Sequence, residues 1–440
     1  MNTVHAIFQG KSKLLNILMA ALLFGFGWHI RGDGTSDVTV AALLLMLFIG
    51  ATFPERRKFN FVVFAMLVFA FLVMRTGWGT FVAQAGIPGL YEGHLVSKKE
   101  GFDIIVPWWQ GYFWLFIVGI SWAGFPSLFL GGYFFTEKKY SLLDLLIYIV
   151  IFAVSDYVGE ILAEHIVPLL SPTAYNDVYL AGISKRNYVS MIDNFATAFA
   201  LFPVLIFIWF QKRDWNFIKH TLIVTAFFAI ALSVADVWQA IANNNPEWKL
   251  PGWNLWEYFT GFIFGGLLFA YYHFMPSDIW QKTDVSGFSE IKYFKKLGYF
   301  RFPILILIYF FLVLYGISES IIETVHKTCD SFQVDRIDTS IYVLSTVLTV
   351  FVILFFLYRK GKVGQTFAKR SFQEKSLILL IVLVPFYYIC LITRYVLTGT
   401  FLVFEMSQLL IWLDTISVII FEVYAIIWWK QTQKEINPIE

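Results

Sequence analysis

Three carboxylates, Asp156, Glu160 and Glu164, recur at intervals of four in SDYVGEILAEH. On a helix that spacing lines them along one face, and like charges held so close favour keeping a proton on one of them. A general acid, or the coupling step of a proton-driven transporter, needs such a proton. Glu164 reads as a solvated helix end, whereas Asp156 and Glu160 read as catalytic. A second source of chemistry is GFGWHIRGDGTSD, residues 25–37, which brings His29, Arg31 and Asp33 together directly after the apolar run LLNILMAALLF. In an enzyme, Asp33 or Asp156 would be the base, Glu160 its proton partner and Arg31 the clamp on an anionic group, because a guanidinium grips carboxylate or phosphate with two parallel hydrogen bonds. The glycines Gly25, Gly27, Gly32 and Gly34 are expected to let this backbone unwind around a ligand.

Substrate-binding residues are expected at His29, Arg31, Arg75, Trp78, Asp236, Trp256, Glu257, Glu319, Arg394 and Glu405. Arg75 and Trp78 belong to RTGWGT, which repeats the glycine-flanked pattern. Trp256 and Glu257 lie in NNNPEWKLPGWNLWEYF beside Trp248, Trp253, Asn254 and Tyr258. Flat aromatic faces alternating with amides and acids suit a sugar ring, whose C–H face stacks while its hydroxyls are hydrogen-bonded. Trp248 alone reads as an interfacial belt residue. Below these, Gly261 and Gly265 read as a close helix contact. Glu319 and Glu323 share a helix face, and Glu323 with His326 forms one E-x-x-H unit. A di-metal helix site needs that unit twice, so neither a metal nor another cofactor is expected. G-x-S-x-G, H-E-x-x-H and Walker-type glycine loops are absent. Cys329 and Cys390 form no C-x-x-C pair, so no redox centre is expected either.

The elements that must position these residues are membrane spans. The chain is 58% hydrophobic and 15% charged over 440 residues, too apolar for a water-soluble fold of this size. The expected class is all-α, a polytopic membrane protein with about twelve transmembrane helices in a single domain over residues 1–440. Apolar runs of roughly 20 residues lie near 14–30, 38–53, 60–75, 107–135, 141–168, 188–211, 220–241, 253–275, 302–325, 340–358, 376–398 and 400–429. Lys11 and Lys13 precede the first, and no small-residue cleavage signal follows it, so a retained signal anchor is expected. Pro126, Pro203 and Pro385 mark kinks. With the N-terminus cytoplasmic, 23 of the 33 Lys and Arg residues fall inside, which predicts both termini in the cytoplasm.

Depth then sorts the ionisable residues, at about 1.5 Å per helical residue. Nearly all of those named above fall in the outer third of the hydrocarbon. The inner halves are expected to be almost bare, with Asp414 near the midplane and Glu422 below it as exceptions. Buried charges of this kind pair with one another or face a wet cavity. The expectation is an acidic, aromatic-lined pocket opening to the extracytoplasmic side. A membrane-embedded enzyme acting at the outer leaflet on a glycan or lipid-linked saccharide needs polar groups on one side only. That layout resembles the polyprenol-dependent glycosyltransferases in architecture alone. The alternative is a secondary transporter, proton-coupled, for a small hydroxylated or anionic solute. Membrane lipid and a small-molecule or lipid-linked substrate are the expected partners in a cell (inner or plasma) membrane. The net charge of +2, with scattered positives, excludes nucleic acid.

Overall fold

The structure is a computed structural model that describes residues 12–32, 38–53, 72, 94–97, 102–105, 108–136, 138, 140–170, 185–275, 372–397 and 406–436. These residues are almost entirely helical. The helices are α1 (Lys13–Gly32), α2 (Val38–Thr52), α3 (Trp108–Ser127), α4 (Leu142–Leu170), α5 (Lys185–Lys212), α6 (Trp215–Ala235), α7 (Val237–Asn244), α8 (Gly252–Phe274), α9 (Phe372–Leu397) and α10 (Leu409–Ile436). A short antiparallel ribbon accompanies the helices, β1 (His94–Ser97) and β2 (Phe102–Ile105), in register from His94 opposite Ile105 to Ser97 opposite Phe102. Six described helical stretches are long and apolar enough to cross a membrane: Lys13–Ile30, Gly111–Phe135, Leu143–Leu170, Met191–Lys212, Trp215–Ala242 and Met406–Gln433. The expected runs at 302–325 and 340–358, and all of 60–75 but Leu72, lie outside the described residues, and helix covers most or all of each of the others.

The chain divides into two compact units. One comprises α1, α2, Gly265–His273 of α8, α9 and α10. Its core is aromatic: Phe48 stacks on Phe269 with ring centres 5.0 Å apart and meets Phe421 edge-on at 5.6 Å. Gly265 makes the expected close contact, since a Cβ there would come within 2.6 Å of the Ala20 carbonyl oxygen. Gly27 serves the same purpose against Ala41 and Leu44 of α2. That corrects one expectation: α1 is continuous through Gly25 and Gly27 to Gly32, so the backbone does not unwind at these glycines, and Gly27 instead admits a neighbouring helix.

The other unit holds the ribbon, α3 to α7 and Gly252–Phe264 of α8. After Pro126, α3 widens into one π-helical turn, Leu128–Gly132, before a last turn at Tyr133–Phe135. Its two glycines bare the backbone where α6 presses closest. A Cβ on Gly131 would lie 2.2 Å from the carbonyl oxygen of His220. Because the obstacle is backbone and cannot rotate away, Gly131→Ala is expected to cost about 2–3 kcal/mol, read as a lowered thermal midpoint in detergent. Unchanged stability would mean that α3 and α6 pack less tightly than described.

Candidate functional site

In the second unit, one helix carries an acid at each end. Asp214 precedes α6 and Asp236 follows it, separated by the 21 residues of α6, about 30 Å of rise and one hydrocarbon thickness. Their surroundings differ. Asp214 caps α6: its Oδ1 accepts the Phe217 N–H at 3.0 Å. Its Oδ2 accepts hydroxyls from Thr136 and, at 2.8 Å, Tyr140. Burial first, and then the Asp214 carboxylate, push the Tyr140 hydroxyl far above its ordinary value, so it stays a donor.

Beside it, Asp144 is equally engaged. Its Oδ2 accepts the Ser141 N–H at 2.7 Å and faces the Lys212 ammonium at 3.1 Å, while Oδ1 accepts from the Gln211 amide at 2.7 Å. Tyr148 donates to that amide's oxygen at 2.9 Å. Lys138 donates to the carbonyls of Lys212 and Arg213. With Lys138, Lys212, Arg213 and Lys219 gathered there, this is the basic end of the unit. Polar ties hold the helices together at this end, where Asp144, Tyr148 and Gln211 join α4 to α5.

At the opposite end, Asp236 is wholly buried at the junction of α6 and α7. Its Oδ1 accepts from the Gln239 amide at 2.5 Å. Its Oδ2, also buried, has no hydrogen-bond partner among the described residues. The start of α8 is fixed beside this junction. Gly252 presses on Trp238, Gln239 and Ala242 of α7, and the Trp256 indole donates to the Leu232 carbonyl at 2.8 Å. Trp256 and Glu257 are both buried, whereas Trp248 and Trp253 are exposed, Trp253 edge-on to Trp256 at 5.2 Å. Trp238 stacks on Phe259 at 5.0 Å.

Asp156 is buried on α4 and accepts the Thr197 hydroxyl of α5 at 2.7 Å. Gly159 and Ala196 make that approach close. Glu160 is half-buried and Glu164 exposed. A step of four residues turns a helix by about 400°, so the row drifts by roughly 40° per step from the interior to the surface.

In the first unit, His29 and Asp414 form a fully buried pair, Nδ1 to Oδ2 at 2.7 Å. Asp414 is thus a functional candidate that depth reasoning set aside. The expected last span began at 400, but α10 begins at Leu409 behind a 3-10 turn, Met406–Gln408. Asp414 is therefore five residues, about 7.5 Å, from the start of its helix. Asn16 and Tyr424 bond at 2.5 Å nearer the other end, so α1 and α10 run antiparallel and are stitched at two levels. Next to Asp414, Thr415 donates to the Ile411 carbonyl and so accepts from the Tyr388 hydroxyl at 2.6 Å.

Asp33, Arg75, Trp78, Glu319 and Glu405 lie outside the described residues. Arg31 and Arg394 sit on α1 and α9, but their side chains are likewise outside the description. No group of three or more His, Cys, Asp or Glu suited to a metal ion occurs among the described residues. No protein-family model, curated protein or solved structure matches the chain.

Proposed function

We propose that this chain is a multi-pass membrane enzyme, crossing about twelve times with both termini cytoplasmic, whose site opens opposite its basic end. It acts at the outer leaflet of the cell (inner or plasma) membrane on a glycan or lipid-linked saccharide. One observation carries the reading: the acids at the basic end, Asp144 and Asp214, have both oxygens hydrogen-bonded, whereas Asp236, buried at the far end of the same helix as Asp214, has one oxygen without a hydrogen-bond partner among the described residues. A saturated carboxylate is structural. A buried one with an unspent oxygen is costly for stability and is available to a ligand or to proton transfer. Trp238 on α7 and Trp256 at the start of α8 bring aromatic faces of the kind on which a sugar ring stacks to this junction. Asp236 joins Asp156 and Glu160 as a candidate acid or base, with Asp33 and Arg31 as the further candidates named by the sequence.

A second reading, a proton-coupled transporter, draws on the His29–Asp414 pair, since an ionisable pair wholly inside a membrane bundle can carry a proton between two states. The discriminating experiment labels the lipid-linked saccharide pool of membranes that contain or lack the chain. The enzyme reading expects saccharide to leave the lipid-linked fraction for an acceptor. An unchanged pool, together with saccharide or anion flux into proteoliposomes, would replace it with transport.

A further inference from the structure

At the basic end of the second unit, α5 and α6 are joined by two residues, Arg213 and Asp214. Asp214 turns inward to cap α6, and Arg213 takes a left-handed backbone with φ 51°, a conformation that residues bearing a Cβ adopt seldom. The Arg213 guanidinium lies over the rings of Trp209 and Phe210, 5.4 and 5.5 Å from their centres. Trp215 meets Trp209 edge-on at 6.3 Å. All three aromatic rings and the arginine are exposed. Among the described residues the guanidinium makes no hydrogen bond or ion pair, so its edge N–H groups are uncommitted. The Lys138 ammonium, bonded to the carbonyls of Lys212 and Arg213, pins the link in this shape.

The membrane-length stretches Met191–Lys212 and Trp215–Ala242 end and begin at this link, which places it at the boundary of hydrocarbon and water. Exposed Trp and Phe at that level insert among lipid headgroups and upper acyl chains. Charge completes the surface: among the described residues of this end, the cations Lys138, Lys212, Arg213 and Lys219 outnumber the acids Asp144 and Asp214, both buried and already hydrogen-bonded. We propose that Arg213, on its shelf of Trp209, Phe210 and Trp215, is a binding site for the phosphodiester of an anionic glycerophospholipid in the leaflet facing the basic end. A guanidinium stacked on rings presents its planar edge to phosphate, a geometry that lysine lacks. A zwitterionic lipid offers the same phosphate already paired with its own ammonium, so the net positive surface favours the anionic lipid.

The test is native mass spectrometry of the delipidated full-length protein, titrated separately with phosphatidylglycerol and phosphatidylcholine. The expected result is a first phosphatidylglycerol bound about tenfold more tightly than phosphatidylcholine, with that preference lost in Arg213→Ala. Arg213→Gly is the folding control, because glycine adopts a left-handed φ freely: it should keep or raise the thermal midpoint while losing the same lipid. Arg213→Lys should recover only part of the preference. Equal binding of the two lipids, or a preference retained in Arg213→Gly, would overturn the proposal. Displacement of the lipid by inorganic phosphate at equal concentration would overturn its assignment to a lipid.

Discussion

Replacing one half of the His29–Asp414 pair will destabilise the protein far more than replacing both. Both groups are fully buried, and their Nδ1–Oδ2 distance of 2.7 Å is that of a charge-assisted bond. Asp414→Leu leaves an imidazole, and His29→Leu a carboxyl group, inside an apolar bundle without that partner, at about 3–5 kcal/mol each. The double variant His29→Leu with Asp414→Leu removes both desolvation penalties and should regain most of the loss. The Asn16–Tyr424 bond between the same helices offers a neutral comparison: Tyr424→Phe should cost only about 0.6–1 kcal/mol, the usual worth of an uncharged interhelical bond in a membrane. Thermal unfolding in detergent across the double-mutant cycle reads all of these. Additive losses from the two single changes would mean that the pair is not coupled.

The second large effect falls on Asp236. Asp236→Asn keeps a carbonyl oxygen to accept from Gln239 and converts only the free oxygen to an amide, so the junction of α6 and α7 should stay folded. If that oxygen transfers a proton or grips substrate, turnover of the labelled lipid-linked saccharide falls by about 100-fold or more. Asp214→Asn makes the opposite case. It disturbs a cap with three donors and lowers stability by about 1–3 kcal/mol, while leaving the rate per folded molecule unchanged. Full turnover in Asp236→Asn would return that residue to a purely structural role.

What could be read from the sequence follows from which forces are local. Hydropathy over 20 residues is a local sum, so α1, α3, α5 and α6 fall where the apolar runs do. Asp156 and Asp236 were legible as buried acids because each interrupts such a run two turns or more from a basic flank. Asp414 lies five residues into α10, and hydropathy summed over the longer apolar run does not mark where that helix starts. Its partner, His29, is 385 residues away, a pairing that no single-chain pattern contains. The glycines of the first span looked like hinges because glycine permits both unwinding and close packing, and only the neighbours Ala41 and Leu44 decide between them. The ties around Asp214 were missed for a related reason. Asp214 reads as an ordinary N-cap before WNF, and nothing in its flanks points to Thr136 or Tyr140.

The central claim, that the site near Asp236 opens on the face opposite the basic end, is most directly tested by cysteine labelling in intact cells. In a variant with Cys329 and Cys390 replaced by serine, Gln239→Cys places a thiol at the residue that now bonds Asp236, and Asn216→Cys places one on the exposed first turn of α6 at the basic end. A membrane-impermeant thiol reagent should modify position 239 in intact cells and position 216 only after permeabilisation. Modification of position 216 in intact cells, or none at 239, would contradict the account.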